Sequence, residues 1–141
     1  MQDVDTDKKG SIEILFDTMR DEPVANAEFT LYQVAAMVDR GGYTVLELTG
    51  GFEGCGVQLK NLTAQQSKDA SAALLEYQRA NHISGDTKRT DANGKISWTG
   101  LQTGLYLLVP GQMQKYRTDP SLVSIPTNLN AQLLYDMSVN P

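Results

Sequence analysis

The chain has 141 residues, with 12 Lys and Arg against 17 Asp and Glu, one histidine and a formal net charge of -5. That length suits one domain with a substantial core, and the interspersed charges leave no basic stripe for nucleic acid. The longest apolar runs, such as residues 105–109, are far too short to cross a bilayer, and the single Cys55 excludes an internal disulfide.

Residues 1–9 form a polar lead that lacks the apolar core of a signal peptide. In residues 11–17, Ile12, Ile14 and Phe16 fall on one face, which predicts a strand. Arg20-Asp21-Glu22-Pro23 is a charged turn closed by proline. Residues 27–35 alternate again, with Ala27, Phe29, Leu31 and Val34 expected inward and Glu28, Thr30 and Gln33 outward. After the Gly41-Gly42 break, residues 43–49 are a third β-rich run.

The middle of the chain changes character. A glycine-rich loop, Gly50-Gly51-Phe52-Glu53-Gly54-Cys55-Gly56, leads to Thr63-Ala64-Gln65-Gln66, a capping-box pattern with Thr63 as N-cap. From there to Asn81, Ala70, Ala73, Leu74, Tyr77 and Ala80 recur three or four apart, which predicts an amphipathic helix over residues 63–81. Lys68, Asp69, Glu76 and Arg79 make its solvated face. Strands then resume: Asp91-Ala92-Asn93-Gly94-Lys95 is a turn carrying the Asn-Gly signal, followed by Ile96-Ser97-Trp98. Residues 104–109 are the most apolar strand, expected to be central, and residues 121–126 and 132–139 complete about seven strands. The pattern predicts an all-β sandwich with one inserted helix, and its expected core is Ile12, Ile14, Phe29, Leu31, Trp98, Tyr106, Leu108, Val123, Ile125 and Leu134.

Chemistry-bearing residues are sparse. His82 is the only histidine and stands at the end of the predicted helix, so a His-dependent triad would have to use it, and no nucleophile-elbow pattern accompanies it. Cys55 has no neighbouring histidine or base to make it a thiolate. Asp91-Ala92-Asn93-Gly94 is a poor calcium loop, because its glycine comes too early and Lys95 takes a ligand position. The Asn61-Leu62-Thr63 sequon reads as a helix start. Trp98 and the tyrosines read as core and rim rather than a sugar platform. No catalytic residue, metal ligand or cofactor site is expected.

Gly10-Ser11-Ile12-Glu13-Ile14, followed by Pro23-Val24-Ala25-Asn26-Ala27-Glu28-Phe29-Thr30-Leu31-Tyr32, resembles the opening of prealbumin-like domains in Gram-positive pilins and collagen-adhesin B-type modules. Residues 90–109, with Asn93-Gly94, Trp98 and Gly104-Leu105-Tyr106, resemble their most recognisable stretch, a hairpin turn before a buried strand with an inward tyrosine. The helix resembles an insertion of N-terminal pilin domains, and residues 120–126 and 135–141 resemble the last two strands, so the likeness spans residues 10–141. It implies an immunoglobulin-like or prealbumin-like sandwich and a structural, non-enzymatic role on a Gram-positive cell wall. Implied partners are neighbouring pilin subunits and a sortase, both through the full-length protein.

In such pilins the closing strand runs into a Tyr-Pro-Lys-type motif whose lysine attacks the sortase acyl intermediate. Here Asn140-Pro141 stand in the first two places, the lysine position falls just past Pro141, and no Leu-Pro-x-Thr-Gly signal is present, so the sequence reads as an N-terminal domain. Many relatives also carry an internal Lys–Asn isopeptide bond, formed by an uncharged lysine beside an amide with a buried acid shuttling protons. The family places that lysine on the first strand, where residues 11–19 have none, and the acid where this chain has Pro110, so no isopeptide is expected. A second reading is a tip or wall-anchored adhesin that binds a host matrix protein or glycan. Its candidate surface is the loop Gly50, Gly51, Phe52, Glu53 and Gly54 together with the helix.

Overall fold

The computed structural model describes residues 9–15, 25–41, 43–56, 64–111, 120–125, 127–129 and 132–139. In chain order these form β1 (Gly10–Leu15), β2 (Glu28–Arg40), β3 (Tyr43–Leu48), α1 (Ala64–Asn81), β4 (Asp86–Arg89), β5 (Lys95–Leu101), β6 (Gly104–Pro110), β7 (Ser121–Ile125), β8 (Thr127–Leu129), β9 (Gln132–Leu134) and β10 (Asp136–Val139). One sheet has the order β10-β1-β5. The other runs β3-β2-β6-β7, with β4 on the same edge of β2 as β3, and β8 and β9 form a separate hairpin. The strand β10 runs parallel to β1, from Ser11 opposite Asp136 to Ile14 opposite Val139.

Two cores lie on either side of the larger sheet. Ile12, Ile14, Phe29, Leu31, Ile96, Trp98, Tyr106, Leu108, Val123, Ile125 and Tyr135 fill the space between the sheets. Tyr32, Val34, Ala35, Leu105 and Leu107 face the other way and meet Phe52 and Leu74 beneath α1. The result is sheet on sheet on helix. It explains why β6 is a continuous apolar run rather than an alternating one, since both of its faces are covered.

The β-sandwich with one inserted helix follows the sequence expectation, and nine of the ten expected core residues are buried. Leu134 is the exception: it is half-buried, and its neighbour Tyr135 takes the core position at 8% exposure. The cause is a break at Tyr135, where the chain leaves the β8–β9 hairpin and joins the other sheet, so residues 132–139 are two strands with different partners.

The inward and outward assignments on β2 also change. Gln33 follows Phe29 and Leu31 onto the inter-sheet face and stands opposite Tyr106, while Val34 turns toward the helix. The register slips between Gln33 and Ala35, a bulge that puts two successive residues, Val34 and Ala35, on the helix side. The strand β4 had no signal in the sequence because all four of its residues are exposed. It is held by polar contacts instead, the Thr30 and Thr87 hydroxyls at 2.8 Å and Arg89 on Glu28 at 3.3 Å. The charges on this short edge also discourage pairing with another chain.

The buried stripe of α1 is rotated from the expected one. Ala70, Ser71 and Leu74 are buried, Leu75 and Tyr77 are partly covered, and Ala73 and Ala80 are exposed. Burying Ser71 is tolerable because its hydroxyl donates to the Ser67 carbonyl at 3.0 Å, inside the helix. The expected N-cap Thr63, the sequon, Phe16 and the turn at residues 20–23 lie outside the described residues.

Candidate functional site

The glycine-rich loop is tied down at its centre. Thr49 N–H donates to the Val34 carbonyl at 3.0 Å, Phe52 N–H to Thr49 at 3.1 Å, and Cys55 N–H to Phe52 at 3.0 Å. Phe52 is 0% exposed, with its ring 6.4 Å from Tyr32 edge-on and 6.1 Å from Tyr77. A side chain on Gly50, at φ 66°, would come within 2.6 Å of the Gln33 carbonyl oxygen, so the loop hugs β2 where only glycine fits. Of the five residues proposed for ligand contact, Gly50, Gly51, Glu53 and Gly54 face solvent and Phe52 is a core anchor. Cys55 is half-buried against the helix-side core.

The remaining chemistry-bearing residues serve the fold. His82 is exposed with φ 52°, the left-handed residue that ends α1, and Ile83 N–H returns to the Gln78 carbonyl at 3.1 Å across it. The Gln78 side chain closes the same turn by donating to the Ile83 carbonyl at 2.9 Å. Asp91 shapes the hairpin, since one of its oxygens accepts from both Asn93 N–H at 2.9 Å and Lys95 N–H at 3.0 Å. Pro110 ends β6 opposite Phe29, and Gly111 N–H donates to the Glu28 carbonyl at 2.7 Å. No group of His, Cys, Asp and Glu that could hold a metal occurs among the described residues. No described helix is long and apolar enough to cross a membrane.

The starts of β1 and β10 meet. Ser11 N–H donates to the Tyr135 carbonyl at 3.0 Å, and the Ser11 hydroxyl donates to Asp136 Oδ1 at 2.9 Å. A side chain on Gly10 would strike the Tyr135 carbonyl oxygen and lie 2.7 Å from Ile125 Cγ2. The first strand, the last strand and β7 therefore lock together at one corner. Only spatial placement joins residues 125 positions apart, so no local sequence signal could have paired Ser11 with Asp136.

The passage between the sheets has its own lock. The hydroxyl of Tyr106 donates to the Gln102 carbonyl at 2.6 Å, and burial pushes its pKa up to about 12. This is the bonding pattern of a tyrosine corner, in which a buried ring fixes the backbone just upstream of its strand. Burial also raises the Tyr32 pKa, partly offset by the Arg79 charge.

No protein-family model matches the sequence, and no curated protein does. Solved structures do match. The full-length major pilin SpaD of Corynebacterium diphtheriae is 20% identical with a TM-score of 0.62, over 99% of this chain and 30% of that one. The SpaE basal pilin of Lactobacillus rhamnosus GG is 15% identical with a TM-score of 0.59, over 95% of this chain and 48% of that one. The SpaA pilin of C. diphtheriae in complex with a signal peptide is 18% identical with a TM-score of 0.55, over 95% of this chain and 96% of that one. This chain thus spans about a third to a half of the SpaD and SpaE structures and nearly all of the SpaA one. The shared fold is the prealbumin-like sandwich of Gram-positive pilin domains.

Proposed function

We propose that this chain, whose fold is that of Gram-positive pilin domains, is the N-terminal domain of a sortase-assembled pilin subunit on the cell surface. The observation that carries the reading is its match over 95% of its length to a pilin of the same extent, itself in complex with a signal peptide. The role is mechanical rather than catalytic. Asp91, Gln78 and Thr87 spend their polar groups on a turn, a helix end and a strand edge, and the two cores draw on strands of both sheets and on α1.

The strand geometry suits load. Parallel pairing of β10 with β1 over Asp136 to Val139 means that tension along β10 shears its bonds together rather than peeling them singly. An acceptor lysine following Pro141 would continue from the far end of β10, past Val139 opposite Ile14, with the adjoining subunit and the sortase as partners and wall attachment through the full-length protein. The test is to express the full-length gene with its sortase and separate wall extracts in denaturing gels. Covalent ladders, with the cross-linked lysine mapped by mass spectrometry just after Pro141, support the shaft reading. Wall-anchored monomers that bind a host matrix protein or glycan through Gly50, Gly51, Glu53 and Gly54 would replace it with the adhesin reading. Absence of both ladders and wall attachment would overturn surface display.

A further inference from the structure

A sheet edge presents a row of unpaired N–H and C=O groups, and natural proteins defend such edges with charge, brevity or cover. Most edges of this fold are defended. The strand β4 is four exposed residues that include Asp86, Lys88 and Arg89. On β5, Lys95 N–H donates to Asp91 Oδ1 at 3.0 Å, and the Lys95 carbonyl accepts from Asp91 N–H at 3.1 Å. Further along the same edge, Lys88 Nζ lies 6.0 Å from the Trp98 ring centroid and donates to the Ser97 carbonyl at 2.8 Å. The strands β7 and β10 close on each other across the sandwich, and α1 packs against β7.

The strand β3 has none of these devices. It reads Tyr43-Thr44-Val45-Leu46-Glu47-Leu48, with one charge and no proline, and no strand among the described residues pairs with its outer edge. Its register fixes which groups face that edge. Thr49 N–H donates across to the Val34 carbonyl at 3.0 Å, and bonding alternates along an antiparallel pair, so Glu47 and Val45 bond to Ala36 and Val38 of β2. Thr44, Leu46 and Leu48 therefore turn their N–H and C=O groups outward. The tip of the hairpin is a bare ribbon, because β6 pairs with β2 only as far as Ala36, and residues 38–40 have β3 as their one strand neighbour among the described residues. A two-stranded ribbon is marginal by itself. Leu46 and Leu48 pack at the margin of the helix-side core and stay half-buried.

We propose that the outer edge of β3 is the interface of a two-fold dimer of this chain, with β3 of one copy antiparallel to β3 of the other and Leu46 on the axis. The edge is complementary to itself. Its outward groups at residues 44, 46 and 48 are centred on Leu46, so a two-fold axis there sets Leu46 opposite Leu46 and Thr44 opposite Leu48, and each outward group meets a partner. The same register sets Glu47 opposite Val45, so the one charge of the strand never directly faces its own copy. The two Leu46 side chains come side by side on the helix face, and each bare ribbon gains the other as a neighbour. The larger sheet then runs without a break as β7-β6-β2-β3-β3-β2-β6-β7 through both copies. This pairing rests on the fold alone and holds whether or not the chain is a pilin.

The test is amide-resolved NMR of the 141-residue chain over protein concentrations from about 0.02 to about 2 mM, with sedimentation to read the mass. The amides of Thr44, Leu46 and Leu48 should shift with concentration and become protected from exchange, while those of Val45 and Glu47, already bonded to β2, should keep their protection. The expected Kd is on the order of 0.1 mM, since a single strand edge buries little area. Leu46→Pro removes the central outward N–H without touching a bond to β2, and should weaken the dimer at least about tenfold. The register has its own readout. Val45→Lys faces Glu47 of the other copy twice and should tighten the dimer about fivefold, whereas Val45→Glu should loosen it by about as much. If Leu46→Pro does not fold, the two Val45 variants decide. Three results overturn the proposal: the Thr44, Leu46 and Leu48 amides do not respond to concentration, folded Leu46→Pro dimerises as the wild type does, or the two Val45 variants dimerise equally.

Discussion

Tyr106 holds the carbonyl of Gln102 at 2.6 Å, and through that one bond a ring buried between the sheets fixes the crossing that leads into its own strand. Residues 102 and 103 carry the chain from β5 in one sheet to β6 in the other, so the bond acts where the two sheets are covalently joined. Tyr106→Phe keeps the ring and removes the bond. The expected loss is about 1 kcal/mol in chemical denaturation, with faster amide exchange confined to residues 100–104. An unchanged midpoint and exchange pattern would show that the crossing is fixed by packing alone.

The same tyrosine gives a signed pH dependence. Burial raises its folded-state pKa to about 12 from an ordinary 10.0. Below pH 10 the phenol is protonated in both states, and its contribution is fully present. Between pH 10 and 12 the unfolded chain releases the proton while the folded chain keeps it, so stability falls as pH rises. The component is on the order of 2 kcal/mol across that window, and Tyr106→Phe should lack it. Parallel stability curves for the two proteins from pH 9 to 12 would count against this assignment.

Gly10 admits no side chain, because a Cβ would meet the Tyr135 carbonyl that accepts from Ser11. Gly10→Ala should cost about 3 kcal/mol and free β10 first, since the obstruction is backbone rather than a movable side chain. Hydrogen exchange at residues 136–139 should accelerate more than at β6. Uniform destabilisation would mean that β10 does not separate from β1 independently.

Phe52 anchors the glycine-rich loop between Tyr32 and Tyr77. Phe52→Ala removes a fully buried ring and should cost about 3–5 kcal/mol, loosening α1 while the inter-sheet core stays folded. Circular dichroism would show helix loss before strand loss on heating. Cooperative loss of both at once would mean the helix and sandwich form one folding unit.

Pro110 and the lysine-free first strand bear on covalent stapling. With proline at the acid position beside Phe29, we expect no internal isopeptide bond, and intact-protein mass spectrometry should return the sequence mass. A deficit of one ammonia would contradict this.

The sequence by itself determined the elements whose signal is local. Alternation in Ile12 and Ile14, the apolar run of β6, the three-to-four spacing around Leu74 and the Asn93-Gly94 turn each follow from side chains a few residues apart. Those patterns carried the sandwich, the helix and most of the core between the two sheets. Tertiary structure decided whatever depends on a distant partner. The exposed strand β4 exists because β2 offers it an edge, and Ala35 joins Val34 on the helix side because a bulge after Gln33 shifts the pattern. Tyr135 displaces Leu134 from the core because the chain changes sheets there, and Phe52 is buried because a helix encoded further along covers it.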